Sequence, residues 1–214
     1  MITLKFGLPG CGKTTMLVRD AIQALKKYDH VYTNVHIAVE GITYIDNHTL
    51  GMYDFGENSI LLLDEASSIA DSRMYMKMSQ ALIDYLNMHR HYKHDIIFYN
   101  QGWDTLDRKI RLITNKVWYL HSEGIWKKLG ITWYYPVPYG ILIPEKGDSE
   151  SSKYGEIIQG YYKPPLIVRL INGGCMIQKP FYKYFDSWER KPLKPLPEIY
   201  KPYRKEEQKT CLVC

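Results

Sequence analysis

Apolar positions along the chain fall into short blocks of two kinds. Ile2–Phe6 (ITLKF) is a brief β-type run. From Thr15 to Lys27 the apolar residues Leu17, Val18, Ala21, Ile22 and Leu25 recur at helical spacing and predict an amphipathic helix. His30–Ile37 (HVYTNVHI) is β-branched and aromatic, which predicts a second strand, with a shorter one at Ile42–Ile45. Thr49–Asn58 is polar and glycine-bearing and reads as loop. Ser59–Glu65 (SILLLDE) carries an unbroken apolar run, as expected of a strand buried on both faces. Helical spacing returns over Gln80–His91. Asp95–Asn100 (DIIFYN) follows as a buried strand, Asp104–Lys109 as a short helix and Arg111–His121 as a further strand. This order predicts an α/β fold: a mostly parallel sheet flanked by helices.

Beyond residue 122 the pattern changes. Ile131–Tyr135 and Tyr139–Ile143 flank a Pro-Val-Pro turn and predict a small β-meander. Glu145–Tyr154 (EKGDSESSKY) has the composition of a linker. From Lys179 onward proline, lysine and tyrosine interleave, a pattern that excludes regular helix and central strand and reads as an extended arm. The chain therefore divides into a core at 1–122, a β-rich extension at 123–178 and a Pro/Lys/Tyr-rich arm at 179–214.

Charge sharpens that division. The chain of 214 residues has 28 Lys/Arg and 23 Asp/Glu. Residues 161–209 hold 11 of those basic residues against 5 acidic ones, so the positive excess sits in the last quarter. Lysines alternating with aromatic rings suit single-stranded DNA or an anionic membrane surface; the alternative is an arm packed on its own domain with its lysines solvated. No apolar run is long enough to span a membrane. The start, MITLKFGLPG, lacks a signal-peptide pattern and reads as the beginning of a cytoplasmic domain. Cys11, Cys175, Cys211 and Cys214 are too scattered for a disulfide framework. The terminal Cys-Leu-Val-Cys has the outline of a prenylation box but ends on the wrong residue for one.

The chemistry concentrates in Gly7-Leu8-Pro9-Gly10-Cys11-Gly12-Lys13-Thr14, which matches G-x-x-x-x-G-K-[ST] between a strand and a helix. Glycines there let the backbone close around a phosphate chain, and successive N–H groups form an anion nest at a helix N-terminus. Lys13 is expected on the β- and γ-phosphates of ATP and the Thr14 hydroxyl on Mg²⁺, with Thr15 a weaker neighbour. Asp64 and Glu65 end the buried strand, where carboxylates face the ligand crevice. Asp64 is expected to hold Mg²⁺ through water, and Glu65 to orient or deprotonate the attacking water. Gln101 ends the next strand and is a candidate contact to the γ-phosphate and that water. Arg90, Arg108 and Arg111 are candidate arginine fingers near this edge. Thr114-Asn115-Lys116 suggests a guanine-reading Asn-Lys-x-Asp motif, but Trp118 stands where the motif needs Asp, so a GTPase is excluded. His89, His91 and His94 lack a Cys or Glu partner at suitable helical spacing and read as a polar helix end rather than a metal site.

GLPGCGKT, SILLLDEA, HRHYKHDIIFYNQ and DTLDRKIRLI together resemble the zonular occludens toxin family, which includes the assembly and export ATPases of filamentous phages. The similarity covers about residues 1–125. It implies an ATPase on the cytoplasmic side of the inner membrane, acting in virion assembly and export. It makes Lys13 and Thr14 phosphate and Mg²⁺ ligands, Asp64 and Glu65 the catalytic acidic pair, and Arg90 and Gln101 characteristic positions. The transmembrane helix and outer part of longer family members are not visible in this chain. Implied partners are further copies of the chain and phage assembly or membrane-channel proteins. Rival readings are a DNA-translocating or packaging ATPase and a small-molecule kinase, which would need an acceptor pocket and lid.

Overall fold

A computed structural model describes residues 1–65, 80–103, 105–137 and 171–186. Among these, eight strands form one sheet: β1 (Ile2–Phe6), β2 (His30–Thr33), β3 (Ile42–Tyr44), β4 (Ser59–Leu63), β5 (His94–Asn100), β6 (Lys116–His121), β7 (Ile131–Pro136) and β8 (Gly174–Ile177). Their order is β3-β2-β4-β5-β1-β6-β7-β8. Pairings from β3 across to β6 are parallel, and β7 and β8 add two antiparallel ones. The helices are α1 (Lys13–Ala24), α2 (Gln80–Met88), α3 (Arg108–Ile113) and α4 (Gly124–Lys128).

The two-faced burial of the central strands follows from their sequences. Every residue of β4 is buried, as an unbroken Ser-Ile-Leu-Leu-Leu run requires. Alternate residues divide between two cores. Ile2, Leu4, Phe6, Leu61, Leu63, Ile96 and Phe98 meet Leu82 and Leu86 of α2 and Ile110 of α3. On the other face Leu62, Tyr99, Leu120 and Met176 meet Met16, Leu17 and Ala21 of α1. Each such side chain contributes about 1.5–3 kcal/mol when withdrawn from water. The α1-facing positions of β1, Thr3 and Lys5, are not apolar. Lys5 lies under α1, ion-paired with Asp20, and the same carboxylate accepts from Arg19 at 3.1 Å and from the Tyr99 hydroxyl at 2.6 Å.

Several boundaries differ from the sequence pattern. The strand expected to reach Ile37 stops at Thr33, because Asn34 turns its side chain onto Asp64. The strand expected from Arg111 begins only at Lys116. Residues 108–113 are helical instead, capped by Asp107, whose side chain accepts from Lys109 N at 2.7 Å. The expected helix at 104–109 is thus displaced toward the C-terminus. Ile131–Tyr135 is a strand, but its partners are β6 and β8, so it extends the main sheet. Tyr139–Ile143, the 145–154 stretch and the Cys-Leu-Val-Cys end lie outside the described residues. The first residues of the expected extended arm, Lys179–Tyr184, coil into a 3₁₀ helix with proline in its first turn and pack against α1.

Candidate functional site: a glycine loop at the carboxyl edge of the sheet

Gly7–Gly12 joins the end of β1 to the start of α1, so the loop lies at the carboxyl edge of the parallel strands, where α/β sheets bind ligands. Gly7 N donates to Asn100 O of β5 at 3.2 Å, fixing the loop's first residue. A Cβ on Gly7 would stand 2.4 Å from Leu120 O, so the loop fits against β6 only with glycine there. Gly12 caps α1 at φ 90°, in the left-handed region, and a Cβ on it would lie 2.6 Å from Thr132 Oγ1 and 2.8 Å from Gln178 Nε2. Leu8, Pro9 and Gly10 form the exposed tip. Cys11 is buried beneath it, and burial pushes its thiol pKa up against the opposing pull of Lys13. It is therefore a packing residue rather than a reactive thiol. Thr15 is buried as well, leaving its backbone N–H as what it offers an anion.

Lys13 folds back over the loop, donating from Nζ to Gly7 O at 2.9 Å and Leu8 O at 3.2 Å. The Thr14 hydroxyl donates to Asp64 Oδ2 at 2.6 Å. Asp64 follows β4, and β5 lies between β4 and β1, so this bond reaches across the end of β5. The other carboxylate oxygen of Asp64 accepts from Glu65 N at 2.9 Å. Asn34 clasps the Asp64 backbone on both sides, accepting from its N–H at 2.7 Å and donating to its C=O at 2.9 Å. Glu65 is exposed and holds φ 49°, a left-handed conformation that costs a non-glycine residue roughly 1–3 kcal/mol and is typical of functional positions. Gln101 is exposed immediately after β5, the strand that separates the glycine loop from Asp64.

Arg90 is not part of this cluster. It lies in the turn between α2 and β5, at the amino end of β5, whereas the glycine loop follows the carboxyl end of the adjacent parallel strand. The seven residues of β5 put about 20 Å between the two edges. The expected position near the ATP edge is thus corrected: within one chain Arg90 does not reach the loop. Arg111 lies with its guanidinium 5.9 Å from the Trp103 ring centre. Of Arg108 only the backbone, as the first residue of α3, is described. Asn115 also sits at the amino edge, accepting from Ile2 N at 2.9 Å, which places Asn115-Lys116 away from any bound base at the carboxyl edge. His94 is occupied by Tyr85 at 2.9 Å and Gly56 O at 2.7 Å, and no metal-type cluster occurs among the described residues.

Four residues that the sequence reading passed over also belong to the site. They are Asn34, the buried Thr132 and Gln178, and Lys127, whose Nζ would be 3.3 Å from a Cβ on Gly10. No local motif marks them. Thr132, Gln178 and Lys127 reach the loop because β7 runs antiparallel, bringing its first residues to the same edge as the ends of β6 and β8, whereas Asn34 meets Asp64 because β2 runs parallel beside β4.

A glycine loop between a central strand and the first helix, facing a carboxylate at the end of the strand next but one, defines the P-loop NTPase class of fold. The sequence profile of zonular occludens toxin (Zot) matches residues 40–166, more than half of the chain, and the chain belongs to that family. Among solved structures it is similar to the N-terminal domain of zonular occludens toxin from Neisseria meningitidis, at 19% identity and TM-score 0.56 over 86% of this chain and 98% of that one. More distant likenesses are the genome-packaging NTPase B204 of Sulfolobus turreted icosahedral virus 2 in complex with AMP (15%, TM-score 0.45, 57% and 76%) and the flagellar accessory protein FlaH of Methanocaldococcus jannaschii (14%, TM-score 0.45, 64% and 77%). No curated protein matches the chain.

Proposed function

We propose that this protein is an Mg²⁺-dependent ATPase motor of the zonular occludens toxin type, acting in filamentous phage assembly and export. The observation that carries the reading is the Thr14–Asp64 hydrogen bond beside the glycine loop. It brings a helix-start hydroxyl and a strand-end carboxylate together where the phosphates of ATP would lie. Both donors are hard oxygens, so the pair fits Mg²⁺, with Thr14 a direct ligand and Asp64 holding it through water. Bound there, the ion would neutralise charge on the β- and γ-phosphates.

The chain's own groups supply the rest. Lys13 exchanges its two carbonyl acceptors for phosphate oxygens. Gly10, Gly12, Lys13, Thr14 and Thr15 offer N–H groups to the anion. Glu65 positions and deprotonates the attacking water, and Gln101 orients water and γ-phosphate from the intervening strand end. The Asp64 side defines the γ-phosphate end. Lys127, on the β6–β7 side, therefore faces the nucleoside end and adds a cation there. Arg90, too far from its own loop, serves a neighbouring copy in a homo-oligomer. The arm from residue 179 is the contact for phage assembly or membrane-channel proteins, single-stranded DNA or an anionic membrane. The protein works in the host cytoplasm at the inner face of the membrane. No helix among the described residues is long and apolar enough to cross a membrane.

The acidic pair tests the reading. Glu65→Gln should bind ATP and Mg²⁺ near wild-type affinity while turnover falls about 10²-fold or more, because only the base is lost. Asp64→Asn should weaken Mg²⁺-dependent binding itself. Lys13→Ala should abolish both binding and turnover. Equilibrium nucleotide binding and phosphate release on the same preparations check all three. A Lys13→Ala protein with wild-type turnover would overturn the assignment.

A further inference from the structure

A chain of hydrogen bonds runs from a late segment of the sequence into the glycine loop. The Tyr182 hydroxyl donates to Gln178 Oε1 at 2.7 Å, Gln178 Nε2 donates to Thr132 Oγ1 at 2.8 Å, and the Thr132 hydroxyl donates to Cys11 O at 2.7 Å. Thr132 both accepts and donates, so the series is polarised in one direction, and bonds in such a series strengthen one another. Backbone bonds fix its members. Gln178 N donates to Gly130 O at 2.8 Å and Phe181 N to Gln178 O at 3.0 Å. Thr132 is wholly buried.

The consequence for the loop follows from peptide geometry. In a trans peptide the C=O and the N–H of one unit point in opposite directions. Holding the Cys11 carbonyl on Thr132 therefore turns the Gly12 N–H the other way, away from β7. The Gly12 backbone also runs close to the same two side chains: a Cβ there would lie 2.6 Å from Thr132 Oγ1 and 2.8 Å from Gln178 Nε2.

The same late segment reaches the carboxylate half of the site. Tyr184 O accepts from Ala38 N at 2.8 Å. Ala38 lies in the connection that begins with Asn34, whose side chain clasps the Asp64 backbone. Gln178–Tyr184 is thus linked through Thr132 to the glycine loop at one end and bonded to the connection that begins with Asn34 at the other.

We propose that Gln178–Tyr184 is a clasp whose order is linked to occupancy of the phosphate loop, and that Thr132 and Gln178 are positioning residues that aim the Gly12 N–H at the bound nucleotide. This rests on the nucleotide-binding reading above. A clasp of this kind lets a load or partner on the following residues change nucleotide affinity, since linkage between two sites is reciprocal.

Three variants of the full chain test it. Thr132→Val keeps the shape and removes the hydroxyl, Thr132→Ser keeps the hydroxyl, and Tyr182→Phe removes only the outer bond. The readouts are the dissociation constant of a non-hydrolysable ATP analogue with Mg²⁺, the split between KM and kcat, and amide hydrogen exchange at residues 178–184. Thr132→Val should bind the analogue about tenfold more weakly, the equivalent of one buried hydrogen bond, with KM rising more than kcat falls. Thr132→Ser should stay within about threefold of wild type, as rescue by a hydroxyl requires. The analogue should slow exchange at 178–184 in wild type and Thr132→Ser, and leave it unchanged in Thr132→Val. Should Thr132→Val fail to fold, Tyr182→Phe decides, because its ring stays and only the linkage in exchange should weaken. Wild-type affinity in Thr132→Val, or nucleotide that protects residues 7–14 while leaving 178–184 indifferent in wild type, overturns the clasp alone. Absence of nucleotide binding by the wild-type protein overturns the phosphate-site reading itself, and the clasp with it.

Discussion

Gly12 is held to glycine by two independent constraints, its left-handed φ and the side chains of Thr132 and Gln178 pressed against it. Gly12→Ala should therefore lose stability by about 1–2 kcal/mol from backbone strain alone, and lose nucleotide affinity by more. Thermal melts with and without nucleotide separate the two effects. A variant that melts and binds like wild type would show that the loop is not as closely backed as described. A second residue-scale effect concerns pH. His89 is buried, 4% exposed, with Nδ1 bonded to Leu86 O at 2.6 Å. Burial lowers its pKa most, opposed by that backbone bond; nearby Arg90 lowers it further. A folded-state pKa below the unfolded value of about 6.5 means the unfolded chain takes the proton first. Stability is then fully present above that pH and is lost as pH falls toward the depressed folded value. Denaturant midpoints measured from about pH 7.5 down to 5 should fall less steeply for His89→Gln than for wild type.

At the scale of elements, α1 does more than begin at the glycine loop. Its Asp20, 9% exposed, neutralises Lys5 in the middle of the sheet and accepts from Arg19 and Tyr99. Removing one partner leaves a charge in the core, which costs about 3–5 kcal/mol, whereas replacing both with apolar residues of similar volume is often neutral. Asp20→Ala should accordingly lower the melting temperature sharply, and Lys5→Met with Asp20→Leu should recover most of it. A double variant no more stable than Asp20→Ala would mean that Asp20 acts chiefly through Arg19 and Tyr99. The helix at 108–113 illustrates how an element's position is settled. Its residues Arg-Lys-Ile-Arg-Leu-Ile suit either a helix or a strand. Asp107 as the cap, with Ile110 in the core beside α2, places the helix, and pairing with β1 starts the strand at Lys116.

At the scale of the whole molecule the sheet has two ends with different tasks. The carboxyl edge carries the glycine loop, Asp64, Glu65 and Gln101, and the amino edge carries Arg90. If Arg90 completes a neighbour's site, turnover per subunit should rise with protein concentration. A mixture of inactive Lys13→Ala and Arg90→Ala proteins should regain activity, since a finger in trans is worth about 10³-fold or more. Full turnover by Arg90→Ala alone, at low concentration, would remove Arg90 from the mechanism.

Local sequence by itself determined the elements with one dominant signal and the chemistry that rides on a contiguous motif. Ser59–Leu63 was legible as a strand buried on both faces, and Gly7–Thr14 as a tight glycine loop between strand and helix, because spacing and residue type within a few positions carry both signals. The carboxylates at 64 and 65 were legible for the same reason, as the ends of a run that could only be a central strand. Tertiary structure alone decided what depends on strand order and direction. It brought Asn34 to Asp64 from the end of β2, and Thr132 and Gln178 to the loop from β7 and the end of β8, through bonds spanning up to 121 residues that no periodicity records. It carried Arg90 to the far edge, because a residue before a parallel strand and a residue after its neighbour lie a full strand length apart. It joined β7 and β8 to the main sheet, since an edge strand's partner is fixed by which backbone it meets in space and not by its own sequence.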